Sequence, residues 1–204
     1  IITGGLMAKF VGPGIDSLMT TLGQLIMTAT QLQPIPMGVI VSTLMGMALT
    51  LPISSAAIGL MLNLSGLAAG AATVGCSAQM VGFAVMSYRE NGMGGLVSQG
   101  LGTSMLQMPN IVNNPLIWIP PTLSGAVLGP LATTGFRMRN VPIGSGMGTA
   151  GLVGQFGTVE AMGSNVLGPI LLLHFLLPAI LTVVFAELMR KWGLIKKNDL
   201  LLDL

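Results

Sequence analysis

Charged side chains are what this sequence most clearly lacks. Asp, Glu, Lys and Arg make up 7% of its 204 residues, against about 25% in an ordinary soluble domain. Residues 17–88 form a run of 72 positions without any of them, and residues 91–136 and 161–186 form runs of 46 and 26. A soluble fold cannot keep a surface in water with so few charges. Since about 20 apolar residues span the core of a bilayer, the runs predict an integral membrane protein built of helices.

Other absences exclude further classes of function. The single cysteine, Cys76, excludes an intrachain disulfide framework and gives no cluster of metal ligands. A net charge of +2 without a basic stripe argues against nucleic acid as a partner. The stretch GMGTAG at residues 146–151 matches G-x-G-x-x-G, but no strand precedes it and no Walker lysine follows. We therefore expect no cofactor and no metal.

Glycine and proline, by contrast, are abundant, with 29 and 12 residues, and they divide the apolar runs. We interpret the chain as one membrane domain with an amphipathic first segment at 1–34, transmembrane helices at 35–88, 122–139 and 165–190, and a tail at 191–204. Pro52 makes residues 37–62 either one kinked helix or two shorter ones, because proline clashes with the preceding turn. Gly66 and Gly70 form a GxxxG pair, which favours close helix approach.

Four basic residues, Arg190, Lys191, Lys196 and Lys197, follow the last apolar run. The positive-inside rule predicts that such a cluster keeps the C-terminus in the cytoplasm.

Two stretches are too polar, or too rich in glycine and proline, to cross a membrane as simple helices. They are residues 91–121, above all 107–121, and residues 141–164. Irregular backbone at membrane depth is tolerated only where protein or a water-filled cavity covers it, and broken segments of this kind indicate a transporter's binding site. We predict that both are re-entrant, entering the membrane and turning back.

Glu160 is the carboxylate that stands out, in the stretch GQFGTVEAMG at residues 154–163. A carboxylate near the bilayer centre costs several kcal/mol, roughly, unless it is paired or faces water. We favour a ligand site at Glu160, together with the preceding Gly157 and Thr158. The alternative is a loop glutamate at the membrane surface.

Amide side chains cluster in the other broken stretch, at Gln107, Asn110, Asn113 and Asn114. Amides offer donors and acceptors without a net charge to desolvate, so they suit sugar hydroxyls. Capping of a broken helix explains the same residues equally well. Trp118, just after them, could stack on a sugar ring or anchor the chain at the interface.

His174 is the one histidine, and it lies in the apolar stretch LLLHFLLP. An ionisable residue at membrane depth is a functional candidate. The alternative, which we favour, is a neutral imidazole that donates to a carbonyl freed by Pro178.

These stretches resemble a known family. GQFGTVEAMG resembles the re-entrant loop of the bacterial phosphotransferase-system sugar permeases (EIIC), and PNIVNNPLIWIPPTLSGAVLGP resembles a second element of that superfamily. Residues 16–159 resemble, more closely, EIIC-like membrane proteins described as toxin regulators of the perfringolysin-regulator type.

The resemblance implies an all-α EIIC-type fold of broken transmembrane helices with two re-entrant hairpins, in the inner membrane of a bacterium. It implies a homodimer, a sugar substrate, and a separate cytoplasmic EIIB-like partner that supplies phosphate. It makes Glu160 the group that binds sugar hydroxyls and accepts a proton during phosphorylation, and it places Asn113 and Asn114 in the second half of the site. It also implies that this chain is the C-terminal part of a longer protein.

The sequence departs from the family pattern in two places. Position 161 is Ala where relatives have Pro, and Asn114 stands where some have Glu. The resemblance still makes a sugar permease of EIIC type the leading hypothesis. A membrane sensor or regulator that binds a ligand without phosphorylation-coupled transport is the alternative, and a purely structural bundle is a third reading.

Overall fold

The computed structural model describes residues 13, 14, 17, 21, 24–26, 28–30 and 32–202. Apart from one isolated bridge, all regular structure among these residues is helical. The predicted first segment, 1–34, therefore lies largely outside the described residues. From residue 34 onward we number the α-helices in chain order: α1 Pro34–Thr50, α2 Ser55–Met61, α3 Gly66–Met86, α4 Tyr88–Val97, α5 Met108–Asn113, α6 Ile119–Pro130, α7 Pro142–Ser145, α8 Val153–Met162, α9 Leu167–Ile170 and α10 Leu177–Lys191.

Short turns of other helix types join or extend these elements. The 3₁₀ turns are Ser104–Gln107, Pro115–Trp118, Ala150–Leu152 and Ser164–Val166, and the π-helical turns are Ser98–Gly102, Leu131–Gly135 and Leu171–Leu176. As a result, α6 lies within a longer continuous helix, and so do α9 and α10.

Three of these continuous helices are long and apolar enough to cross a membrane. They are Gly66–Met86, Pro115–Gly135 and Ser164–Lys191, with 21, 21 and 28 residues. At about 1.5 Å per residue the first two span about 30 Å and the third about 42 Å, enough for a bilayer's hydrocarbon core of about 30 Å. The prediction of an all-helical membrane protein is confirmed.

Helix α3 forms the centre of the structure, and α1, α6 and α10 pack around it. Small residues let the backbones come close. A Cβ on Gly75 of α3 would overlap the Ser42 carbonyl of α1, and a Cβ on Gly129 of α6 would overlap the Gly38 carbonyl of α1. These glycines are far apart in sequence, which is why no local motif pointed to them.

The GxxxG pair that the sequence emphasised joins no two helices within the part of the chain that the structure describes. Gly66 begins α3 with a φ of +63° and has no atom near its would-be Cβ among the described residues. A Cβ on Gly70 would overlap the carbonyl of Met138, in the loop before α7. Among the described residues, Gly66 thus serves a turn and Gly70 a loop contact, and helix–helix packing by this pair stays a prediction.

The prolines explain where the predicted boundaries shift. Pro52 separates two short helices, α1 and α2, which resolves the alternatives left open by the sequence. Residues 115–121 were predicted to belong to the first broken stretch, but the 21-residue helix begins at Pro115. Proline is tolerated here because Pro115 begins a 3₁₀ turn and the next prolines lie in the first turn of α6, which begins at Ile119. Backbone N–H groups in a first turn have no partner within the helix, so the N–H that proline lacks is not missed. Pro130 is followed by the π-helical turn Leu131–Gly135.

Candidate functional site

Residues 140–163, which we call the Glu160 segment, return to the place where they begin. The backbone N–H of Arg139 donates to the sulfur of Met162 at 3.0 Å, although 23 positions separate the two residues. Within the segment α7 and α8 lie side by side, since a Cβ on Gly157 would come within 3.3 Å of the Gly144 Cα. Helix α8 has ten residues, or about 15 Å at the usual rise. It is too short to cross a bilayer core of about 30 Å.

The segment runs along α3 from its first turn to its middle. Asn140 and Gly66 exchange backbone hydrogen bonds of 3.1 and 3.2 Å. At the far end, a Cβ on Gly148 would lie 2.7 Å from the carbonyl carbon of Cys76. Gly66 and Cys76 are ten residues apart on α3, so the segment reaches about 15 Å along that helix.

Left-handed backbone marks both ends of α8. Gly151 and Leu152 precede the helix with φ values of 52° and 59°, and Gly163 ends it with a φ of 82°. A leucine in this region is uncommon, because its Cβ crowds the backbone. The chain reverses here at a conformation that α7, α8 and their packing hold in place.

Asn140 is the polar centre of the segment, and the sequence did not single it out. Its side chain is buried. Its Nδ2 lies 2.6 Å from Thr73 Oγ1, 2.9 Å from the Gly154 carbonyl and 3.1 Å from Thr158 Oγ1. Its Oδ1 accepts from the Val141 N–H at 2.7 Å. One local indication of this role was present in the sequence, namely an amide residue between Arg139 and an apolar stretch with a proline near its start.

Gly157 and Thr158, both predicted to contact a ligand, face this asparagine instead of open space. A Cβ on Gly157 would overlap Asn140 Oδ1. Thr158 is buried, and its hydroxyl donates to the Gly154 carbonyl at 2.8 Å. In this structure both residues hold α8 against α7 and α3.

Glu160 lies on the opposite side of α8, where its side chain is exposed. It makes no ion pair or hydrogen bond with any residue between 32 and 202. Phe156, one turn earlier on α8, is 68% exposed. The segment therefore has one face closed on Asn140 and another that presents a free carboxylate beside an aromatic ring.

His174 contacts the Glu160 segment from the last span. Its Nδ1 lies 3.0 Å from Gln155 Nε2, and both side chains are buried. The amide nitrogen can only donate, so Nδ1 is the acceptor and Nε2 carries the proton. The bond to a carbonyl near Pro178 that we favoured is not the contact observed. Within the described chain, His174 Nε2 and Gln155 Oε1 have no partner.

The predicted amide cluster lies in residues 104–118, which we call the amide segment. Residues 192–202, which we call the tail, accept hydrogen bonds from its amide side chains. Asn110 Nδ2 donates to the Leu201 carbonyl at 2.8 Å. Gln107 Nε2 donates to the Leu200 carbonyl at 3.1 Å. Asn114 Nδ2 contacts the Leu194 carbonyl at 3.1 Å and Asp199 Oδ2 at 2.7 Å.

Apolar side chains strengthen the docking of the tail. Ile195 and Leu200 are buried in one cluster with Phe83 of α3 and with Ile111 and Ile117 of the amide segment. The tail expected at 191–204 is thus packed onto the protein over the part that the structure describes.

The remaining predicted residues of the amide segment differ from one another. Asn114 also accepts from the Leu116 N–H at 3.2 Å, which is the capping that the sequence offered as an alternative. Asn113 is exposed and makes no hydrogen bond within residues 32–202. The Trp118 indole N–H donates to Gln79 Oε1 of α3 at 3.1 Å.

The two predicted broken stretches meet where the Thr149 hydroxyl donates to the Gly100 carbonyl at 2.6 Å, but no hydrogen bond joins Glu160 to the amide segment among the described residues. Thr73 of α3 contacts the Glu160 segment through Asn140, whereas Phe83 packs against the amide segment. These α3 residues are ten positions apart, or about 15 Å along the axis. The polar centres of the two segments therefore face different turns of α3.

The comparisons with known proteins give a family. The family model described as "Phosphotransferase system, EIIC" matches residues 1–202. No curated protein and no solved structure matches the chain. Because the model covers almost the whole sequence, the chain belongs to the EIIC family of the phosphotransferase system.

Proposed function

We propose that this EIIC-family chain binds a sugar at Glu160 and takes part in its transport as the membrane permease component. One observation carries the proposal. Glu160 is a carboxylate without a partner among the described residues, on a helix too short to span, in a chain that otherwise avoids charge. An unpaired carboxylate is costly in lipid, so we infer that its face of α8 meets water and substrate.

The Glu160 segment acts in this proposal as a re-entrant hairpin. Two features support it: the contact between Arg139 and Met162 at its base, and the Gly148 turn beside Cys76 about halfway along α3. Such a segment delivers α8 to the interior of the membrane without crossing it. Irregular backbone at that depth requires cover by protein or water, which α3 and Asn140 provide on one face.

The chemistry follows from the carboxylate. Its oxygens accept hydrogen bonds from sugar hydroxyls, and charge-assisted bonds of this kind are roughly twice as strong as neutral ones. The same group takes the proton from the hydroxyl that is phosphorylated, while a separate EIIB-like protein supplies the phosphate. Gly157 and Thr158 hold Glu160 in position through Asn140, and His174 supports α8 through Gln155.

The amide segment enters the proposal only in a second state. The sequence predicted five sugar ligands here. Asn113 and Trp118 make no hydrogen bond with the tail, whereas Gln107, Asn110 and Asn114 bind it. A sugar reaches those three amides only when residues 192–202 leave. We propose that the C-terminus faces the cytoplasm, because of its basic residues, and that the protein works as a homodimer, as its family resemblance implies.

A ligand sensor without coupled transport is the second candidate. It is favoured by the occupied amide segment, since a permease needs ligand groups that are free to exchange. The resemblance to toxin regulators of the perfringolysin-regulator type points in the same direction.

The test is the Glu160→Gln variant, with Glu187→Gln as a control that removes a partly exposed, ion-paired carboxylate elsewhere. A panel of hexoses and disaccharides is titrated into each protein in nanodiscs. The variant should weaken binding by about 1.5–3 kcal/mol, the range for hydrogen bonds to charged groups, while the control binds normally. Equal binding by the wild type and Glu160→Gln would contradict the site.

Uptake then separates the two functions. Proteoliposomes with a phosphorylated EIIB-like partner should accumulate sugar phosphate if the protein is a permease. Binding without uptake would identify the sensor.

A further inference from the structure

A basic cleft lies where the last span ends, well away from Glu160. It has a volume of about 460 Å³ and is lined by Arg89, Glu90, Arg190, Lys196, Lys197 and Asn198, with Ile195 at its base. Four of these residues are cations and one is a carboxylate. The cleft combines side chains from the start of α4, the end of α10 and the tail.

The two arginines are already neutralised. Arg190 contacts Glu90 at 3.2 Å and Glu187 at 3.0 Å, and Arg89 contacts Glu187 at 2.9 Å. Lys196 and Lys197, in contrast, are exposed and form no ion pair within residues 32–202. Within residues 32–202 the cleft therefore keeps two positive charges without an ion-pair partner, both from the tail.

The tail holds these lysines in place. Asn114 Nδ2 fixes the loop at both ends, through the Leu194 carbonyl and the Asp199 carboxylate. Asp199 Oδ2 also accepts from the Lys196 backbone N–H at 2.8 Å. Asp199 is thus directed to Asn114 and the backbone, so the lysine side chains remain available to a ligand.

The residues around the cleft are of the types that concentrate at a membrane interface. Trp192 is 66% exposed and Tyr88 is 46% exposed, each next in sequence to a basic residue, Lys191 or Arg89. Aromatic side chains of this kind concentrate at headgroup level. Exposed apolar residues of α10, including Val184 and Leu188, lead along the helix toward Trp192.

We propose that this cleft binds the phosphate group of an anionic phospholipid, with Lys196 and Lys197 as its main contacts and Arg89 beside them. The phosphate adds the negative charge that the cleft lacks, and the acyl chains lie along the apolar face of α10. Basic pockets between membrane helices bind anionic headgroups by this combination of charge and apolar surface. A soluble phosphate ester has the same charge but no chains, so it gains nothing from the α10 face.

Trp192 allows a direct test, because the sequence holds only two tryptophans. In a Trp118→Phe background Trp192 is the sole reporter. The protein is placed in phosphatidylcholine vesicles containing a small fraction of brominated phosphatidylglycerol, or the same fraction of brominated phosphatidylcholine. We expect brominated phosphatidylglycerol to quench the fluorescence of Trp192 clearly more than brominated phosphatidylcholine does. This difference should shrink at high salt because the interaction is electrostatic.

The double variant Lys196→Gln and Lys197→Gln should lose the preference, at about fivefold per lysine. Lys191→Gln, which removes an exposed lysine outside the cleft, is the matched control and should keep it. Glycerol 3-phosphate titrated into the detergent-solubilised protein forms the soluble arm. Saturable binding there, lost in the double variant, with no lipid preference would assign the phosphate to a soluble ester and overturn the lipid proposal. Equal quenching by both lipids without such binding, or the same loss in Lys191→Gln, would overturn the site altogether.

Discussion

The Glu160 segment and the amide segment both place polar side chains in broken, apolar stretches, but they use these polar groups in opposite ways. In the Glu160 segment the Asn140 amide is buried and bonded through both its nitrogen and its oxygen, and the charged group is left open. In the amide segment Gln107, Asn110 and Asn114 are directed at the chain's own tail. The Glu160 segment leaves a candidate ligand group without a partner among the described residues, whereas the amides of the other segment already bind the tail.

The difference shows that polar density alone does not mark a free site. Buried polar groups must be bonded, so amides in an apolar protein find backbone carbonyls whenever a segment of chain is within reach. The tail supplies those carbonyls at residues 194, 200 and 201. No described segment supplies a cation to Glu160, and this is why the carboxylate, not the amide cluster, carries the proposed function.

The largest expected loss of stability comes from a substitution on the buried side of the Glu160 segment. Asn140→Ala removes three donated contacts and leaves Thr73, Thr158 and the Gly154 carbonyl short of a partner. We expect a loss of about 3 kcal/mol, since each unsatisfied buried group costs roughly 1–3 kcal/mol. That loss lowers the Tm in detergent by about 6–12 °C.

Asn113→Ala is the matched control for that substitution, because this amide is exposed and unbonded within residues 32–202. Its unfolding free energy should change by less than about 0.5 kcal/mol. Similar Tm values for the two variants would remove Asn140 from the centre of the segment.

A smaller effect is expected where the tail meets the amide segment. Asn114→Ala removes the contacts to the Leu194 carbonyl and to Asp199, and also the cap on Leu116. The cost should be about 1–2 kcal/mol, and it should fall mainly on the tail. Hydrogen–deuterium exchange of residues 192–202 should rise clearly in this variant, with little change in α3. Unchanged exchange in the tail would mean that the amides do not hold it.

The class of the protein could be predicted from the sequence because charge-free runs directly reflect a lipid environment. The helix boundaries were less predictable. Pro115, Pro120 and Pro121 favour a break, yet they fit a 3₁₀ turn that continues into α6. Local chemistry does not distinguish a proline that ends a helix from one that begins it.

The contacts that organise the interior could not be predicted, because they join residues distant in sequence. Gly75 meets Ser42, and Asn140 meets Thr73, across 33 and 67 positions. The docking of the tail joins Asn110 to Leu201 across 91 positions. Gln107, Asn110 and Asn114 were predicted from their closeness in sequence, but their contacts with the tail depend on tertiary structure alone.

Thiol accessibility tests the contrast between the two segments most directly. The only native cysteine, Cys76, is buried and can be replaced by Ser, so single cysteines can be introduced at Glu160 and at Gln107. In native membranes a water-soluble, membrane-impermeant maleimide should label Glu160→Cys quickly and leave Gln107→Cys unlabelled, because the Gln107 side chain is fully buried beneath the tail. Removing residues 194–204 should expose the second site while leaving the first unchanged. Protection of Glu160→Cys from this reagent, with labelling by a lipid-soluble maleimide, would place its face of α8 in lipid and contradict the account.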